Sequence, residues 1–273
     1  MAQDILDLVS TMKARGTSFA LATVVRTVSV TAAKAGAKAV IAADGSVTGG
    51  WIGGGCARGA VLRAAQAALR DGTPRLVSVQ PKDLLDQQGV APGEARDGIE
   101  FSKNMCPSQG TMDIFVEPVL PPPSLIILGS SPVGVALADL GRRVGYAVTV
   151  CAPAAEHAAF AGADRWVDGF TVPKEGSPMR FAVVCTQGRG DAAALAAALS
   201  GDPLSYLAFV GSRKKAQALR AELSRKGVGP SERLEMFKAP AGLDLGAITP
   251  DEIALSILAE MTTVRRHGQR KPA

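Results

Sequence analysis

Three consecutive glycines, Gly53, Gly54 and Gly55, precede Cys56 and Arg58 in the segment WIGGGCARG, and the chain then opens into an alanine-rich run. A strand-to-helix turn of this composition suits two kinds of chemistry. Bare backbone at a helix N-terminus presents unpaired N–H groups and a partial positive charge to an anion, and glycines let that anion come close. A cysteine at the same helix end has its thiolate stabilised. Arg58 puts a cation in the first helical turn, against the macrodipole, at a cost of about 0.3–1 kcal/mol. A bound anion removes that cost. The alternative is that the glycines only allow a close helix–strand crossing, with Cys56 a small buried residue.

A second glycine-rich turn, GSSPVG, keeps Gly129 and Gly134 at the outer positions of a G-x-G-x-x-G fingerprint but carries Ser131 at the middle one. That middle glycine is what lets a pyrophosphate approach the backbone. The next strand, AVTVC, ends in Cys151 where an acid would grip the adenosine ribose. Both changes argue against NAD(P), and Gly129 and Gly134 then serve either an anion or the packing of helix on strand. The turns CTQGRGD and GSRKK bring Arg189, Arg213 and Lys214 to the ends of later strands, where an anionic, nucleotide-bearing ligand fits. Cys106, in KNMCPSQG, lies outside any periodic apolar face and is expected to be exposed, whereas Cys185, inside FAVVC, is expected in the core.

Periodicity supplies the elements that hold these residues. DILDLVSTM reads as a short amphipathic helix ending before Gly16, FALATVVRT as a strand, and AKAVI with SVTG as a hairpin around Asp44-Gly45. Ala57 to Arg70 reads as a helix closed by Asp71-Gly72, and RLVSV and TMDIFVEP as strands. The polar stretch between those two strands has weak periodicity and reads as a long loop, functional or mobile. PPP at 121–123 favours a stiff connector. Beyond it apolar strands alternate with helices, which predicts a parallel sheet covered on both faces. The last helix carries a capping box, with Thr249 as N-cap, Pro250 at its first position and Glu252 at its third. The fold class expected is α/β: a small N-terminal α/β domain (1–119), a proline linker (120–123) and a Rossmann-like parallel-sheet domain (124–273).

Lys and Arg number 30 against 25 Asp and Glu, and Arg265, Arg266, Arg270 and Lys271 of the last nine residues supply four of the surplus cations. Without interleaved aromatics this end reads as solvated, and nucleic acid finds little to bind. The start, MAQDILDLVSTM, has neither the basic flank nor the apolar core of an export signal, and no apolar run reaches membrane-spanning length. The expected location is the cytoplasm, with the four cysteines, which show no C-x-x-C spacing, as free thiols. His157 and His267 are too scattered for a Cys/His zinc site.

Taken in order, DGSVTGGWIGGGCARGAV, CPSQGTMDIFVEP, LIILGSSPVGVALADLGRRVGYAVTV, VGSRKK and APAGLDLGAITPDEIALSILAEM resemble the XdhC/CoxI family across nearly the whole chain. The resemblance implies a non-catalytic accessory protein for a molybdenum hydroxylase such as xanthine dehydrogenase or CO dehydrogenase. Such a protein binds the molybdenum cofactor, as molybdopterin or its dinucleotide, assists replacement of an oxo by a sulfido ligand together with a cysteine desulfurase, and helps insert the cofactor into the apoenzyme. The glycine cluster with Trp51 and the block FSKNMCP look most like the branch associated with CO dehydrogenase, where copper is also delivered. The cofactor-binding residues so implied are Gly53, Gly54, Gly55, Cys56, Arg58, Cys106, Gly129, Gly134 and Arg213, with Cys56 as the metal ligand and a homodimer as the assembly. The chain departs from the family pattern at Arg58, usually an acid, at Ser131 and Pro132, usually Gly and His, and at Cys151, usually Asp. An NAD(P)-dependent oxidoreductase built on the second domain is the competing class, and a pure interaction scaffold a third.

Overall fold

The structure, a computed structural model, describes residues 4–266 apart from 108, 175, 176, 178, 229 and 230; Cys56 and Ser231 are described by their backbone alone. The chain divides into two compact units, the first ending at Pro121 and the second starting at Pro122.

In the first unit, α1 (Ile5–Ala14), β1 (Phe19–Val28), β2 (Lys38–Ala42) and β3 (Val47–Gly50) lead into α2 (Gly55–Asp71). β4 (Arg75–Gln80), α3 (Lys82–Gln88), β5 (Ala95–Arg96), β6 (Ile99–Lys103) and β7 (Thr111–Val119) complete it. The strands form one sheet in the order β3-β2-β1-β7-β4-β6-β5. All neighbours are antiparallel except β4 and β6. α2 covers one face, where Ala57, Ala60, Val61, Ala64 and Ala65 pack with Ala20, Ala22, Val24 and Ile114. The stripe recurs every three or four residues, and alanine on both partners lets helix and sheet lie close.

The stretch expected as one long loop holds regular structure instead. α3 buries Leu85 with Val90 and Phe101 in a small separate cluster, and β5 pairs with β6 across Asp97-Gly98. Both turn residues have positive φ, 52° and 79°, as a two-residue hairpin turn demands.

The second unit runs β8 (Ser124–Leu128), α4 (Pro132–Arg143), β9 (Ala147–Ala152), β10 (Arg165–Asp168), β11 (Arg180–Val184), α5 (Asp191–Ser200), β12 (Tyr206–Phe209), α6 (Arg213–Arg225), α7 (Ser231–Met236) and α8 (Pro250–Arg266). Its five strands are all parallel, in the order β10-β9-β8-β11-β12. β8 shows why both faces are apolar: Leu125 and Ile127 pack with residues of α4 and α8, Ile126 and Leu128 with residues of α5 and α6. A 3-10 helix, Ala154–Ala159, joins β9 to β10, and strand–helix alternation lapses once, since among the described residues no helix joins β10 to β11. α8 opens as expected: Glu252 Oε2 accepts from the N–H groups of Ile248 and Thr249 at 2.8 and 2.9 Å, and Thr249 Oγ1 accepts from Glu252 N–H at 3.3 Å. Part of the basic end is packed rather than solvated, because Arg265 lies over the Tyr146 ring at 5.0 Å. Among the described residues no helix is long and apolar enough to cross a membrane.

Candidate functional site

The glycine turn carries β3 into α2. Gly53 has φ 109° and Gly55 φ 21°, backbone that favours glycine. Gly54, the N-cap of α2, is extended at φ −93°, ψ −178°, and a Cβ built on it meets no atom within 4 Å. Space and backbone would therefore accept a side chain there. Among the described residues no side chain caps α2, and no acid stands in its first turn. The first intrahelical bond runs from Arg58 N–H to Gly54 O at 3.3 Å, so the N–H groups of Gly55, Cys56 and Ala57 begin the helix without an intrahelical acceptor. Arg58 is exposed and unpaired among the described residues. The Cys56 side chain lies outside the described residues, and with it the expected metal ligand.

Gly54 and Ala57 line a recess of about 50 Å³ together with Val30, Thr31, Asn104 and Cys106. Two segments far apart in the sequence, each expected to bear a site residue, thus meet in one place. Asn104 shapes the second segment: its Oδ1 accepts from Cys106 N–H at 2.9 Å, its Nδ2 donates to Gly110 O at 2.6 Å, and its own N–H donates to Gln80 O at 2.6 Å. Cys106 is exposed, as expected. Sequence reasoning does not single out Asn104. The available signal was an Asn two residues before the cysteine, the spacing at which its side chain folds a turn.

In the second unit the glycines of GSSPVG are required by the protein itself. Gly129 has φ 106°, and a Cβ on it would fall 2.7 Å from both Cys185 O and Thr186 Cα. One on Gly134 would fall 3.2 Å from Cys185 Cβ. These contacts lock the ends of β8 and β11 together where the strand order reverses. Ser131 caps α4 by accepting from Gly134 N–H at 3.3 Å, and its own N–H donates to Cys185 O at 3.1 Å. Glu156 accepts from the Ser130 hydroxyl and pairs with Arg189 at 3.5 Å, which puts a carboxylate beside the turn that would have to receive a pyrophosphate.

Cys151 and Cys185 are buried; burial pushes their thiols up to about 11 and about 12. Burial pushes Asp191 upward too, but Lys215 at 2.5 Å and the Thr186 hydroxyl outweigh it and hold the carboxyl below its usual range.

Arg213 lines another cavity, of about 1060 Å³, at the carboxyl end of β12, and Gly129 and Gly134 are not among its walls. Beside it Glu260 accepts from Tyr206 OH at 2.5 Å, Lys238 Nζ at 2.5 Å and Gly242 N–H at 3.1 Å. Burial pushes Glu260 up, yet the bonds from Lys238 and Tyr206 hold it below the usual carboxylate range. Sequence reasoning missed Glu260. The signal was an acid on the buried stripe of the last helix, three positions after Ile257. Among the described residues no group of three or more His, Cys, Asp or Glu side chains could hold a metal ion.

The family model described as the XdhC Rossmann domain matches residues 125–261, and that of the XdhC and CoxI family matches residues 12–80. The uncharacterised protein YqeB of Escherichia coli (strain K12) is 28% identical over 246 residues, 85% of this chain and 41% of its own. A probable xanthine dehydrogenase subunit from Bacillus subtilis (strain 168) is 29% identical over 163 residues, 57% of this chain and 47% of its own. This chain thus spans less than half the length of these curated relatives. A crystal structure of a xanthine dehydrogenase from Bacillus halodurans aligns over 99% of this chain and 98% of its own, with 19% identity and a TM-score of 0.45.

Proposed function

The chain belongs to the XdhC and CoxI family, and from that premise we propose that it is a maturation factor for a molybdenum hydroxylase, holding the molybdenum cofactor by its phosphate at the Gly53–Cys56 turn. The observation that carries this reading is the uncapped start of α2, opening at Gly54 onto the recess that Cys106 also lines. The residues present fit the phosphate end of a molybdopterin. Unpaired N–H groups and Arg58 favour an anion there, and the bare Gly54 leaves its approach open. A recess of about 50 Å³ has room for a group of roughly one or two waters' volume and not for the pterin rings. Cys56 of the turn and Cys106 on the recess wall are soft sulfur donors suited to molybdenum, sulfide or Cu(I).

In this proposal the chain works in the cytoplasm as a homodimer, a cysteine desulfurase supplies the sulfur, and the loaded cofactor passes to the hydroxylase apoenzyme. Copper is a second cargo if the hydroxylase is a CO dehydrogenase. A reductase using NAD(P) is opposed by Glu156 beside the glycine turn, by the Ser131 cap and by the buried Cys151 in place of a ribose-binding acid. The test is molybdenum and phosphorus content of the full chain purified from cells that make the cofactor. Near-stoichiometric amounts of both are expected, and their absence overturns the proposal. Cys56→Ala should retain the cofactor on the intact backbone cradle yet leave the hydroxylase inactive in cells; normal hydroxylase activity with a folded variant would remove Cys56 from the delivery path.

A further inference from the structure

β12 is the edge strand of the second sheet, and its outer side shows the N–H and C=O groups of Leu207 and Phe209. All but one of these are bonded. Lys238 N–H donates to Leu207 O at 2.9 Å, Phe209 N–H donates to Lys238 O at 2.8 Å, and Ala241 N–H donates to Phe209 O at 3.1 Å. The N–H and C=O of a strand residue point the same way, so Leu207 N–H faces this side too. It has no acceptor among the described residues. The next rung of the pairing would need the carbonyl of Met236, two residues before Lys238, but Met236 is the last residue of α7 and the chain there is helical. Leu207 is 8% exposed, and a buried N–H left without an acceptor is costly.

Leu207, Met236 and Lys238 together line a cavity of about 510 Å³ at the amino end of β12, a volume usual for a small-molecule site. Its other apolar walls are Ala198 and Leu199 of α5, Leu204, and Val264 of α8. The charges on its walls are mostly committed. Arg233 Nη1 donates to Leu199 O and Gly201 O at 2.8 and 2.7 Å, Lys238 Nζ pairs with Glu260 at 2.5 Å, and Asp202 pairs with Arg180 at 3.3 Å. Glu232, exposed on α7, is the remaining charged group. An anion thus meets no uncommitted cation among the described residues and two carboxylates. A strand-adding peptide finds a single free rung on β12, too few for a ladder.

We infer that this cavity binds an uncharged, apolar small molecule that carries a carbonyl group. The carbonyl oxygen accepts from Leu207 N–H and supplies the bond that the turn into α7 denies it; the apolar body packs on Leu199, Met236 and Val264. The cavity belongs to the second unit alone, so the inference stands whether or not a cofactor is held at the glycine turn.

The test uses the full chain, isotope-labelled for amide resonances, and three probes that share one apolar body: methyl naphthyl ketone, ethylnaphthalene and naphthoate. The ketone should bind about tenfold more tightly than the hydrocarbon, the worth of one hydrogen bond to a buried donor, and about tenfold or more above the carboxylate. The Leu207 amide proton should move downfield with the ketone and not with the hydrocarbon. Ser205→Trp at the exposed rim and Val264→Phe on the α8 wall should each weaken the ketone about tenfold or more, with the amide spectrum away from the cavity unchanged to show that the fold is kept. Leu245→Ala, which lies on the other cavity, should change nothing. Equal binding of ketone and hydrocarbon would assign Leu207 N–H to a water and overturn the inference. So would tighter binding of the carboxylate, no shift at the solubility limit of the ketone, or indifference to both wall substitutions.

Discussion

Gly54→Ser is expected to stabilise the first unit and at the same time strip the protein of its cofactor, two effects that packing alone would not combine. The position accepts serine without strain, since its backbone is extended and a Cβ there meets nothing within 4 Å. Serine is a better N-cap than glycine by a few tenths of a kcal/mol, and replacing glycine stiffens the unfolded chain by about 0.4–1 kcal/mol. Together these raise stability by about 0.6–1.4 kcal/mol and Tm by about 2–7 °C. Ligand binding moves the other way. A capping serine hydroxyl accepts one of the N–H groups at the start of α2, the groups proposed to hold the phosphate. Loss of one charge-assisted bond is worth about 1.5–3 kcal/mol, a fall in affinity of roughly 10- to 150-fold. Thermal unfolding gives the first quantity; molybdenum and phosphorus per chain, in protein from cofactor-making cells, give the second. Full retention in a variant whose Tm has risen would refute the reasoning, because the turn would then carry a side chain without consequence for the ligand.

Gly129→Ala should destabilise the second unit by about 2–4 kcal/mol in urea unfolding, with or without ligand, from strain at φ 106° and a Cβ 2.7 Å from Cys185 O. A loss below about 0.5 kcal/mol would contradict the packing role. In the folded chain at about pH 8 an alkylating reagent should modify Cys106 and spare Cys151 and Cys185, whose thiols burial pushes up to about 11 and about 12. Peptide mass spectrometry reads this, and label on Cys185 before unfolding would count against it. Glu260 binds its proton less readily in the fold than in the unfolded chain, so its stabilisation is complete above the ordinary carboxylate value of about 4.3 and is lost as pH falls through the lower folded value. Glu260→Gln should therefore cost about 1–3 kcal/mol at neutral pH and flatten the acid limb of stability; a limb as steep as the native one would place the acid response elsewhere.

Where an element's own residues decide its state, the sequence is enough to find it. The run Ser124–Leu128 is apolar on both faces because both faces are buried, and the Thr249–Glu252 box closes on itself with no help from distant residues. β5 and β6 were hidden for the opposite reason. Asp97-Gly98 is the same turn signal as Asp44-Gly45, but the strands beside it are short and carry Arg96 and Glu100 instead of alternating apolar residues. Their pairing rests on Phe101 reaching Leu85 and Val90, contacts that no local pattern announces. The meeting of Cys106 with the glycine turn is hidden in the same way. It depends on Asn104 bonding Gln80 and on the pairing of β4 with β6 and β7, none of which is local.

The glycines show most directly how one sequence signal divides in the folded chain. Glycine beside a helix start is equally a mark of close packing and of a ligand near the backbone, and both turns of this chain carry it. At Gly129 and Gly134 the atoms that exclude a side chain are the protein's own, Cys185 and Thr186, so the fold accounts for them in full. At Gly53 and Gly55 positive φ accounts for the choice. Gly54 has neither excuse: its backbone suits any residue, nothing fills the space where a Cβ would stand, and serine would cap the helix better. In the proposed reading this glycine, which the folded chain does not itself require, is kept bare for the cofactor's phosphate, beside the recess it shares with Cys106.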